Sequence, residues 1–118
     1  MARILLADDD EATRDLVKRA LETDGHVVSL TQDGTEAFEA LAAQPFDLLV
    51  SDVHMPGLDG VDLARRAIAA APQLKLLLMS GFAEELERAR ALKSPHLATI
   101  LKPFTLDQVR SAVRGLLA

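Results

Sequence analysis

The sequence predicts an α/β protein, a doubly wound parallel sheet of five strands, and three features carry that reading. Short apolar runs alternate with segments of helical period along the whole chain. One run, Leu74 to Met79, is the most continuously apolar, as in a strand buried on both faces, while His26 to Thr31 alternates. The length, 118 residues, suits one domain over 1–118 with no effector domain, and one core of that size buries about two-thirds of the unfolded surface.

Ile4-Leu5-Leu6-Ala7 is the first strand, stopped by Asp8-Asp9-Asp10. From Glu11 to Asp24 the apolar positions Ala12, Leu16, Val17, Ala20 and Leu21 follow helical spacing, and Gly25 is placed to cap that helix. His26 to Thr31 is a second strand; Asp33-Gly34-Thr35-Glu36 then spaces an N-cap and a capping-box glutamate before a helix to about Ala43. Phe46 to Ser51 is the third strand. Met55-Pro56-Gly57-Leu58-Asp59-Gly60 carries too many turn residues to be anything but a loop, and the helix after it, Val61 to Ala71, is ended by Pro72. Leu74 to Met79 is the most continuously apolar strand, followed by an acidic-then-basic helix from Ala83 to Lys93 that Ser94-Pro95 closes. Leu97 to Leu101 is the fifth strand and Lys102-Pro103 a turn. Thr105-Leu106-Asp107-Gln108 is a capping box opening a last helix with Leu106, Val109, Val113 and Leu116 on its apolar face.

With four Phe and no Tyr or Trp, the core must be mostly Leu, Val, Ile and Ala. A formal charge of −5 disfavours nucleic acid and anionic membranes as partners and leaves a protein or a metal ion. The absence of cysteine excludes disulfides, thiolate metal sites and a cysteine nucleophile. No segment approaches the roughly 20 apolar residues of a membrane span, so a cytoplasmic location is expected.

In an open parallel sheet the ligand lies beyond the carboxyl ends of the strands. The residues at those ends are Asp8 and Asp9 after the first strand, Asp52 after the third, Ser80 after the fourth and Lys102 after the fifth. If the first and third strands are neighbours, about 4.8 Å apart, their carboxylates repel by roughly 4 kcal/mol for a 4 Å pair at intermediate dielectric. A hard divalent cation offsets that repulsion, because Mg²⁺ takes oxygen ligands and commonly sits between carboxylates and a phosphate. Each residue alone has an ordinary reading: acidic pairs solvate loops, Asp10 caps the first helix, Ser80 would cap another, Lys102 would be a solvated base. Only the conjunction points to chemistry.

That conjunction resembles the receiver domains of response regulators, the CheY-like fold, from Arg3 to the end of the chain. Leu5-Leu6-Ala7-Asp8-Asp9 resembles the family's first strand and acidic pair; Leu48-Leu49-Val50-Ser51-Asp52-Val53-His54-Met55-Pro56 resembles its phosphoacceptor strand and loop. Met79-Ser80-Gly81 resembles its switch position. Leu101-Lys102-Pro103-Phe104 resembles its lysine turn, whose peptide before proline is characteristically cis. The resemblance implies strand order 2-1-3-4-5 and a phosphoryl group taken by Asp52 from a histidine kinase or a histidine phosphotransfer protein. It implies Mg²⁺ held by Asp9, Asp52 and the main-chain carbonyl of His54, with Asp8 acting through water. Lys102 would pair with a phosphoryl oxygen, and Ser80 would act as a hydroxyl switch rather than a catalyst. Output would be protein contact through the fourth helix, fifth strand and fifth helix, without enzymatic turnover. The chain length and the Gly81-Phe82-Ala83 turn further resemble stand-alone receivers of the CpdR type, which implies a protease-adaptor role.

The sequence departs from the family pattern at Thr99, three residues before Lys102, where an aromatic residue is common. His54 and Phe82, two beyond Asp52 and Ser80, would border the attacking water. The His54 side chain has no second His or Cys near it in sequence, so its backbone is the expected ligand; His26 and His96 sit at strand edges without partners and are expected to be structural. Rival readings are a receiver segment of a hybrid histidine kinase, which Met79-Ser80-Gly81-Phe82-Ala83-Glu84 resembles, and a phosphate sink. An aspartate-nucleophile phosphatase is disfavoured because His54 stands where its second Asp would be. A flavodoxin-like cofactor binder is disfavoured because Asp8-Asp9-Asp10 would repel a phosphate.

Overall fold

A computed structural model describes all 118 residues. In chain order it contains β1 (Arg3–Ala7), α1 (Glu11–Thr23), β2 (Val27–Thr31), α2 (Gly34–Ala43), β3 (Leu48–Asp52), α3 (Gly60–Ala70), β4 (Lys75–Ser80), α4 (Ala83–Arg90), β5 (Leu97–Leu101) and α5 (Leu106–Leu117). All neighbouring strands are parallel, in the order β2-β1-β3-β4-β5. That is the predicted architecture.

The period of two along each strand splits the core into two layers. Ile4, Leu6, Leu48, Val50, Leu77 and Met79 pack with α1 and α5; Leu5, Leu49, Leu76 and Leu78 pack with α2, α3 and α4. The central strands β1, β3 and β4 are therefore apolar on both faces, which is why their sequences do not alternate.

Four helix starts are fixed by side-chain caps: Asp10, Asp33, Asp59 and Thr105 each accept a hydrogen bond from the backbone N–H three residues on. The capping box at Thr105 and Gln108 closes reciprocally. At Asp33 the amide of Glu36 donates to the aspartate at 2.8 Å. Gly25, at φ +89°, follows α1 as expected of a C-terminal glycine.

Several boundaries move. Phe46 and Asp47 precede β3, because the Asp47 carboxylate accepts the Arg3 amide at 2.8 Å and ties the two strand entrances together. α4 stops at Arg90 rather than Lys93: beyond it the Leu92 and Lys93 amides bond three residues back, and Lys93 turns to φ 54°. Leu16 and Leu106, predicted on apolar faces, are 50% and 39% exposed. Both line a groove beside Lys102, Pro103 and Phe104 instead of the core.

His26, predicted without a partner, has one, its Nδ1 accepting the Ala2 amide at 3.1 Å; its role is structural all the same. It also lines a hollow with Met1, Phe46, Leu74 and Leu117 at the strand-entry end of the sheet.

Candidate functional site

A parallel sheet sends every strand out at the same edge, so the residues that end β1, β3, β4 and β5 must meet there. Cα pairing sets Ala7 beside Ser51, Asp52 beside Met79 and Ser80 beside Leu101. Asp8, Asp52 and Ser80 are buried at that edge, while Asp9 is exposed. Asp8, Asp9 and Asp52 each turn a carboxylate oxygen inward, and these oxygens lie within 4.8 Å of one another. Lys102 reaches across from the end of β5, its Nζ 3.2 Å from Asp52 Oδ1. Its backbone N–H donates to Ser80 O at 2.8 Å, and the Lys102–Pro103 peptide is cis, as the resemblance implied.

Two glycines let the loops close around this edge. A side chain at Gly60 would put its Cβ 2.4 Å from Asp52 O, and one at Gly34 would meet Leu58 O at 1.9 Å. Gly60 therefore allows the start of α3 to sit against the backbone of Asp52, where its N–H donates to Val53 O at 2.9 Å.

Burial pushes the Asp8 carboxyl up to about 6; the Asp10 N–H that Asp8 accepts opposes the rise, and the charge of Asp52 adds to it. Burial likewise raises Asp52, with Lys102 pulling it back and Asp9 pushing it further. Asp8 Oδ2 is buried with no hydrogen-bond partner. A buried lone oxygen in a cluster of carboxylates is costly to leave unpaired, and an all-oxygen donor set of this kind fits a hard cation. Asp10 stands outside the cluster. Its bonds from Thr13 hold its carboxyl below the usual range, and its work is the cap of α1.

Ser80 is engaged in the other direction. Its hydroxyl donates to Glu85 Oε1 in α4, and its oxygen accepts the Phe82 amide at 3.0 Å. The second oxygen of Glu85 lies 3.1 Å from Nε2 of His54, whose side chain is 71% exposed and tilted against Phe82. Thr99, on β5, accepts a hydrogen bond from Arg90 at 3.0 Å. Glu85 went unnoticed in the sequence because an acidic residue in the first turn of a helix reads as a dipole partner.

The sequence profile of the response regulator receiver domain matches residues 4–114. The chain belongs to the response regulator receiver family. It is 40% identical to the response regulator receiver protein CpdR of Brucella abortus, over 99% of this chain and 98% of that protein. It is 36% identical to the response regulator MprA of Mycobacterium ulcerans, over 98% of this chain but only 50% of that protein. Among solved structures, the receiver domain of the hybrid histidine kinase CckA matches at TM-score 0.82 and 28% identity, over 98% of this chain and 99% of that one. The chemotaxis response regulator CheY4 of Vibrio cholerae matches at TM-score 0.86 and 25% identity, over 98% of each chain. Receiver domains are signalling modules of two-component systems that work with histidine kinases and bind Mg²⁺ at an acidic pocket. No helix of this receiver is long and apolar enough to cross a membrane.

Proposed function

We propose that this receiver takes a phosphoryl group onto Asp52 from the phosphohistidine of a histidine kinase or phosphotransfer protein, in the cytoplasm, and signals by phosphorylation-dependent protein contact. The contact of Lys102 with Asp52 inside the carboxylate cluster carries the proposal. An Asp52 oxygen attacks phosphorus, the P–N bond breaks, its electron pair returns to the donor imidazole, and an acyl phosphate forms. Lys102 moves its charge from the carboxylate to a phosphoryl oxygen, and the Ser80 hydroxyl donates to another. Asp9, Asp52 and the main-chain carbonyl of His54 would hold Mg²⁺, with Asp8 acting through water; the cation supplies neutralisation of the transferring charge.

The groove beside Lys102, about 500 Å³ and lined by Leu16, Phe104 and Leu106, gives the donor protein an apolar face next to the acceptor. Intact-mass analysis after treatment with acetyl phosphate and Mg²⁺ tests the site. One acid-labile phosphoryl group should add to the wild type and none to Asp52→Asn; the same gain in the variant would overturn the assignment.

Output, on this reading, runs through α4, β5 and α5 in a protease-adaptor role, and likeness over nearly its whole length to the response regulator receiver protein CpdR supports a receiver of that kind acting by contact. Partner pull-downs with phosphorylated and unphosphorylated protein, beside Ser80→Ala, test it. Equal binding in every case would leave a phosphate sink. Likeness to the CckA receiver supports a second reading, a receiver segment of a hybrid kinase.

A further inference from the structure

The Ser80 hydroxyl has one proton, so donation to Glu85 and donation to a phosphoryl oxygen exclude one another. Ser80 is 2% exposed and the Glu85 side chain 19% exposed, so the bond between them is sheltered from water. Glu85 belongs to the first turn of α4, which has no side-chain cap; its leading amide, that of Phe82, is met by the same Ser80 oxygen. The switch residue thus holds the start of α4 by two bonds. The far end of α4 is tied to β5 by Arg90 and Thr99.

We propose that Glu85 is a positioning residue that keeps the Ser80 hydroxyl engaged in the unphosphorylated chain and transmits its release to α4. The inference rests on Asp52 being the phosphoacceptor. When a phosphoryl oxygen takes the Ser80 proton, Glu85 loses its buried donor and keeps only the exposed His54, while a new anion stands nearby. The first turn of α4 is released and the Thr99 end stays anchored, so the helix pivots. This route from site to surface requires no aromatic ring at position 99.

A double-mutant cycle decides it, read first in metal-free protein as amide hydrogen exchange at Phe82, Glu85 and Leu86. Glu85→Ala should speed exchange about three- to tenfold, Ser80→Ala at least as much because it also removes the acceptor of the Phe82 amide, and the double variant should go no further than Ser80→Ala. Glu85→Gln, which keeps an acceptor oxygen, should stay within about twofold of wild type. In the presence of Mg²⁺ and acetyl phosphate, Glu85→Ala should raise the initial rate of phosphoryl incorporation about three- to tenfold, and that gain should vanish in the Ser80→Ala background. An unchanged exchange rate in Glu85→Ala, or the same acceleration in both Ser80 backgrounds, overturns the inference. If the wild type gains no phosphoryl mass, the acceptor assignment fails instead, and the exchange cycle still judges Glu85.

Discussion

Asp24 and Asp8 are carboxylates with little solvent exposure in one small fold, yet their surroundings are opposite. Arg110 of α5 forks onto Asp24 at the end of α1, Nε at 3.0 Å and Nη2 at 2.6 Å, and Arg114 approaches to 3.7 Å. The Arg110 bonds hold the Asp24 carboxyl below its usual range. Asp8 has no guanidinium on its carboxylate, one buried oxygen without a partner, and a carboxyl pushed up to about 6 by burial. A carboxylate whose bonds are all supplied from within the protein staples helices together; one left short is kept for something that arrives from outside.

Titration gives the widest separation. Asp8 binds its proton more tightly folded than unfolded, so its contribution favours the fold at low pH and is lost as pH rises from about 4 through 6. Asp24 does the reverse, contributing stability above about 4 that disappears as pH falls through its lowered value. Urea unfolding in EDTA should therefore show stability declining by up to about 3 kcal/mol between pH 4 and 7, and saturating Mg²⁺ should flatten the decline. A flat metal-free profile would break the contrast.

Removing the satisfied carboxylate comes next. Asp24→Ala leaves Arg110 without its fork and should lower the urea midpoint, with phosphoryl incorporation unchanged. Asp8→Asn should have the opposite sign, raising metal-free stability by about 1 kcal/mol and shrinking the Mg²⁺-dependent rise in Tm. If both variants destabilise equally, Asp8 is an ordinary structural residue. The smallest effect is expected at His54, whose pairing with Glu85 is solvent-exposed: His54→Ala should shift unfolding by less than about 0.5 kcal/mol.

Asp8, Asp9, Asp52, Ser80 and Lys102 were legible as a group because parallel strands end at one edge, so a chain position at a strand end is already a spatial position. The Asp24–Arg110 clasp was not, since its partners are 86 residues apart and neither sits in a motif. Leu16 and Leu106 misled because helical period marks apolar positions without saying whether a neighbouring element covers them. Glu85 and Gly34 escaped for a related reason. The first matters through a hydroxyl five residues earlier across a helix start, the second through close approach to Leu58, and neither leaves a periodic trace.

Met1 and Leu117 line the same hollow at the strand-entry end of the sheet, with the Asp8, Asp9 and Asp52 cluster at the opposite end. Chain grafted at either terminus emerges away from the chemistry, and a short bridge could join the two ends without crossing the sheet. The architecture is thus modular in the engineer's sense: a fluorescent reporter, an affinity handle or a circular permutation placed there should leave the strand-exit edge open to a donor protein.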